Sequence, residues 1–88
     1  MIVPQPRPVR RRRESEPSRW GVYLDGVRIG ELHEVRMPGA RSVFYEALVP
    51  HPVTGKPISL ELHPDREQRL RAIIAFHEDP MTGKRHWS

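Results

Sequence analysis

Four consecutive arginines, Arg10, Arg11, Arg12 and Arg13, are the residues of this 88-residue chain whose type and spacing point most directly to chemistry. Guanidinium groups stay charged and present a fork of donors. A flexible run of them can follow a phosphate backbone or enter a minor groove without a preformed surface. Four such contacts on duplex DNA give a salt slope of about −4. The same run also suits solubility or an acidic protein surface. Other constellations carry less. The histidines, His33, His51, His63, His77 and His86, form no HxH or HxxxH pair, and there is no cysteine, so no metal or cofactor is expected. Ser59, His63 and Asp65 are close in sequence, but a nucleophile also needs an oriented base, an oxyanion site and a pocket. No catalytic residue is assigned and no enzyme activity is expected. Finally, Pro-x-Thr-Gly-Lys occurs twice, at 52–56 and 80–84. This could be a duplicated phosphate-holding turn, but neither copy has the upstream glycine of a P-loop, which favours two independent Pro/Gly turns.

The charge is segregated. Residues 1–19 hold six arginines and two glutamates, which accounts for the whole formal net charge of +4, and residues 20–88 balance at nine basic and nine acidic side chains. A nucleic-acid reading therefore rests mainly on the leader. Thirteen of the fifteen basic residues are arginine, the mark of a GC-rich bacterial or phage genome. The N-terminus places apolar residues before its charges and has no small-residue cleavage site, and no apolar stretch is long enough to span a membrane. A cytoplasmic protein with no membrane partner is expected.

The elements that must position these groups follow from periodicity. Residues 1–18, with Pro4, Pro6, Pro8 and Pro17, bury too little apolar surface to order and read as a disordered Pro/Arg-rich arm. The proline spacing of two does not fit an SH3 ligand. From Arg19 a period of two begins. Asp25-Gly26 between two alternating runs signals a type I′ hairpin, with Leu24 opposite Val27 and Val22 opposite Ile29. Trp20, Val22, Leu24, Val27 and Ile29 then share an apolar face, and Arg19, Tyr23 and Arg28 share the other with Gly21 and Gly30. Ser42–Val49 reads as a third strand and Ile58–His63 as a fourth. The fourth sends Ile58, Leu60 and Leu62 one way and Ser59, Glu61 and His63 the other. Asp65 and Gln68 fit a capping box before a helix with Leu70, Ile73, Ile74 and His77 on its apolar stripe, and Pro80 ends it. The expectation is an α+β domain over 19–79. Three to four antiparallel strands in β-β-β-β-α order are packed on one face by the helix, and 80–88 forms a C-terminal turn and tail.

A Trp-bearing strand, a tight Gly hairpin, a further hairpin and a helix opening with acidic and Arg residues resemble AP2-like and integrase arm-type DNA-binding domains. Trp20, Asp25-Gly26, Ile29-Gly30, Tyr45, Ala47 and Asp65-Arg66-Glu67 carry the likeness over about sixty residues. These families lay the exposed sheet face in the DNA major groove with the helix as a brace. By that resemblance Arg19, Tyr23 and Arg28 would read DNA.

Two functions follow as expectations. One is a small accessory or regulatory protein of a phage or plasmid that binds nucleic acid, DNA before RNA, through Arg10–Arg13 and through Arg19, Tyr23 and Arg28. The other is an inhibitor or adaptor that meets a host protein through the uncovered sheet face or a strand edge. Self-association into a homodimer would also suit so small a body.

Overall fold

The computed structural model describes residues 5–10, 17–39 and 41–87. Five strands form one antiparallel sheet in sequential order: β1 (Gln5–Pro8), β2 (Arg19–Leu24), β3 (Val27–Arg36), β4 (Val43–Pro50) and β5 (Pro57–His63). Helix α1 (Arg66–Glu78) covers one face against β3, β4 and β5, and a 3-10 segment, Pro80–His86, closes the chain against α1 and β5. The α+β class and the antiparallel sheet match expectation, but the strand count does not.

The additional strand comes from the leader. Gln5–Pro8 pairs with β2, so residues 5–8 of the expected arm belong to the sheet. The reason lies in the proline spacing. The Val9 N–H donates to the Arg19 carbonyl at 2.9 Å. With period two, the Arg7 and Gln5 amides also face β2, and Pro6 and Pro8 occupy the positions whose amides would point outward. An edge strand does not need those donors.

The β2–β3 hairpin forms around Asp25 (φ 51°) and Gly26 (φ 79°), as a type I′ turn requires, with Leu24 opposite Val27. Beyond Tyr23 the register shifts by one, and Val22 faces Gly30 instead of Ile29. This bulge turns both Ile29 and Gly30 toward the helix. Ile29 is buried, and a Cβ on Gly30 would lie 2.7 Å from the Leu48 carbonyl and 2.8 Å from Ile73 Cγ2. Gly30 is therefore a packing residue of the covered face. Val27, at the hairpin tip, is 62% exposed and outside the core.

A second bulge interrupts β4–β5 opposite Ala47, with Glu61 at φ 76°. It reverses the alternation of β5. Ile58 and Leu60 enter the core, but Leu62 pairs with Glu46 and turns to the open face, and His63 pairs with Tyr45. Arg69, itself buried, spans the bulge by donating from Nη1 to the carbonyls of Leu60 and Glu61.

Helix α1 starts at Asp65, whose carboxylate accepts from the Glu67 N–H at 2.9 Å. Gln68 does not complete a capping box; its Oε1 accepts from Arg69 Nε. The buried stripe is Leu70, Ile73 and Phe76, with Ile74 half-buried and His77 exposed. The stripe follows i, i+3 steps because the 3-10 segment lies over Phe76. Gly83 sits against that ring, where a Cβ would come within 2.6 Å of Cδ2. Residues 81–87 are thus a packed cover instead of a tail. Trp87 is half-buried against the core, and its indole N–H donates to the Pro80 carbonyl at 3.3 Å.

Candidate nucleic-acid interface

The face that α1 leaves open is built from alternate residues of all five strands. Cross-strand partners share a face. The pairs Arg19–His33–Glu46–Leu62 therefore form one row, and Arg7–Gly21–Glu31–Leu48–Ser59 forms the next. Tyr23 and Arg28 pair at the hairpin end. The structure thus brings Arg19, Tyr23 and Arg28 together on the open face. Arg10, exposed, stands two residues past the end of β1, whereas Arg11, Arg12 and Arg13 lie outside the described residues.

Tyr23 does not stand free as a stacking platform. Its ring lies over Gly21, where a Cβ would come within 2.8 Å of Cε2, so the absence of a side chain on Gly21 gives the ring its place. The Arg7 guanidinium then sits over the same ring, 4.8 Å from its centroid. The contact orients Arg7 by a cation–π interaction, and no carboxylate among the described residues compensates its charge. Arg7 was absent from the expected site because the leader reads as disordered. The available signal was the alternation of Arg7 with Pro6 and Pro8.

The open face has an electrical polarity. Glu31 accepts from Arg28 and from His33 Nε2, the latter at 3.0 Å, and Glu46 accepts from the Ser59 hydroxyl at 2.8 Å. The carboxylates of this face thus belong to β3 and β4, where Arg28 is paired. On β1 and β2, Arg7 and Arg19 have no carboxylate within ion-pair distance among the described residues, and neither does Arg10. Burial lowers the His33 pKa below its ordinary 6.5; Glu46 opposes that shift, and Arg19 and Arg28 reinforce it. Arg28 already compensates the Glu31 charge, so a neutral imidazole donating to Glu31 fits the site.

Ser59, His63 and Asp65 do not assemble. The Ser59 hydroxyl serves Glu46, whereas His63 Nδ1 accepts from the Asp65 N–H at 3.0 Å on the other side of the β5 bulge. Among the described residues no three His, Asp or Glu side chains gather as a metal site requires. No described helix is long and apolar enough to cross a membrane. No family model matches the chain, and no curated protein or solved structure does.

Proposed function

We propose that the protein binds nucleic acid, as an accessory or regulatory factor, through the cationic β1–β2 side of its open sheet face and the arginine run joined to it. The observation that carries this reading is the placement of Arg7, Arg10 and Arg19. All three are exposed and lack carboxylate partners among the described residues; Arg7 and Arg19 lie on β1 and β2, and Arg10 lies between β1 and Arg11–Arg13 in sequence. Pairing β1 to β2 sets the leader's charge beside Arg19 and gives the run a fixed point of departure. Phosphate contact needs charge on a tracking surface and no deep pocket. Arg28, held by Glu31, contributes less, and Tyr23 acts by holding Arg7.

The protein-partner alternative, through the uncovered sheet face or a strand edge, is less suited to the β1 edge than to the β5 edge. Along β1, Pro6 and Pro8 leave the outward positions without N–H donors, which blunts strand addition at that edge. Fluorescence anisotropy with a labelled duplex tests the proposal. Arg7→Ala with Arg19→Ala weakens binding about tenfold at moderate salt, taking roughly one net contact per arginine, and Arg28→Ala changes it little. Equal affinity in the double variant and the parent chain refutes it.

A further inference from the structure

The two Pro-x-Thr-Gly-Lys segments, twenty-eight residues apart in sequence, lead to one groove. The β4–β5 turn supplies His51, Thr54 and Lys56, and the residues that follow the second copy supply Arg85, His86 and Trp87. The groove is open and measures about 570 Å³, within the range of small-molecule sites. Among the described residues no carboxylate lines it, and neither Lys56 nor Arg85 has a carboxylate partner. Glu46 is engaged by the Ser59 hydroxyl at the groove's margin, and Glu61 lines the adjoining cavity that Arg85 and His86 also line.

The two copies fold differently. Gly55 is left-handed at φ 74°, as the hairpin reversal needs, whereas Gly83 lies at φ −106° inside the 3-10 segment. Neither presents free backbone amides in the manner of a phosphate loop. In the first turn His51 Nδ1 accepts from the Val53 and Thr54 N–H groups at 3.0 and 3.2 Å. The His51 carbonyl accepts from Gly55, and Thr54 Oγ1 accepts from Lys56. Side chains are therefore what the groove offers to a ligand.

Those side chains are donors. With Nδ1 accepting, neutral His51 carries its proton on Nε2. His86 Nε2 accepts from Arg85 Nε at 3.1 Å, so neutral His86 carries its proton on Nδ1. Together with Lys56 and Arg85 they form a donor set that matches a phosphate, which offers acceptors. Trp87, half-buried with its ring centroid 5.4 Å from that of His51, supplies a planar apolar wall beside the charges. We propose that this groove binds a phosphorylated nucleoside unit, with Lys56 and Arg85 on the phosphate and Trp87 against the base. The unit is either a free nucleotide or the 5′-phosphorylated end of a strand. The site meets the open sheet face at Ser59 but uses none of Arg7, Arg10 and Arg19, and it stands independently of the function proposed above.

Calorimetric and tryptophan-fluorescence titration of the full chain tests it, with AMP, adenosine, inorganic phosphate, and a short single strand with and without its 5′-phosphate as probes. Saturable AMP binding is expected with a Kd below about 1 mM. Adenosine binds more weakly, and the fluorescence change is lost in Trp87→Phe. Lys56→Ala and Arg85→Ala each weaken AMP about fivefold, the upper range for an exposed charge pair, and Lys56→Arg retains binding. Arg7→Ala with Arg19→Ala leaves AMP affinity unchanged, which separates this site from the sheet face. Preference for the phosphorylated strand over its twin identifies strand ends as the source, and AMP binding alone identifies free nucleotide; both support the proposal. Three results overturn it: no saturable binding of AMP or the phosphorylated strand, unchanged binding in the Lys56/Arg85 double variant, or inorganic phosphate binding as tightly as AMP.

Discussion

Replacing Arg69 by methionine removes four donor contacts, two to backbone carbonyls and two to Gln68 Oε1, while keeping an unbranched apolar stem in the same space. Arg69 is only 7% exposed, and its Nη1 serves two carbonyls of the β5 bulge, those of buried Leu60 and exposed Glu61. Leaving the Leu60 carbonyl without its charged donor costs about 1.5–3 kcal/mol. The Glu61 carbonyl can rehydrate and contributes about 0.5–1 kcal/mol. Burial lowers the Arg69 pKa, with Glu61 opposing, so the guanidinium is held at some expense, and an apolar replacement recovers about 1 kcal/mol. The net loss for Arg69→Met is about 2 kcal/mol, or roughly 8–16 °C in Tm for a domain of this size. Arg69→Lys keeps one compact donor, which can reach one carbonyl, and loses about half as much. Urea unfolding followed by far-UV circular dichroism measures both. A methionine variant as stable as the parent chain refutes the clamp, as does a lysine variant as damaged as the methionine one.

Further outcomes follow from the packing. Gly30→Ala drives a Cβ into the Leu48 carbonyl and Ile73, lowering stability by about 1–3 kcal/mol in the same assay; an unchanged urea midpoint contradicts the bulge geometry. Glu61→Gly relieves a left-handed backbone and raises stability by about 0.5 kcal/mol, whereas Glu61→Ala does not. Because the folded state lowers the His33 pKa, the unfolded chain takes up the proton first. Stability is full above pH 6.5 and declines as the pH falls below it. His33→Gln keeps a donor to Glu31 and reduces that decline, read as the difference between urea midpoints above and below pH 6.5; an unaltered decline assigns it elsewhere.

Local chemistry made part of the fold legible. Asp25-Gly26 specified its hairpin, His51–Lys56 specified a reversal between two strands, and Asp65 specified the helix start. What escaped was set by partners distant in sequence. Both bulges arise where the sheet must accommodate α1, at Gly30 under Ile73 and at Leu60–Glu61 under Arg69. Each changes which side chains face the helix, so strict alternation misplaced Leu62 and Gly30. The prolines of the leader signalled disorder because a lone segment with that spacing has no reason to fold; β2 supplies the reason. Pro-x-Thr-Gly-Lys shows the same dependence, since one string makes a hairpin turn after a strand and a 3-10 segment after a helix. For the candidate interface, alternation from Asp25-Gly26 placed Arg19, Tyr23 and Arg28 on one face, but the partners that change their roles, Arg7 over Tyr23 and Glu31 on Arg28, come from strand pairing and the shifted register.

The claim that β1 and β2 extend the arginine run into one phosphate-binding surface is tested most directly by the salt dependence of duplex DNA binding. Six contacts, from Arg7, Arg10–Arg13 and Arg19, give a slope of log K against log salt of about −5.4 for the full chain. Removing Arg7 and Arg19 by substitution with alanine reduces it to about −3.6. A slope that is the same in both proteins, or affinity that does not respond to salt, contradicts the account.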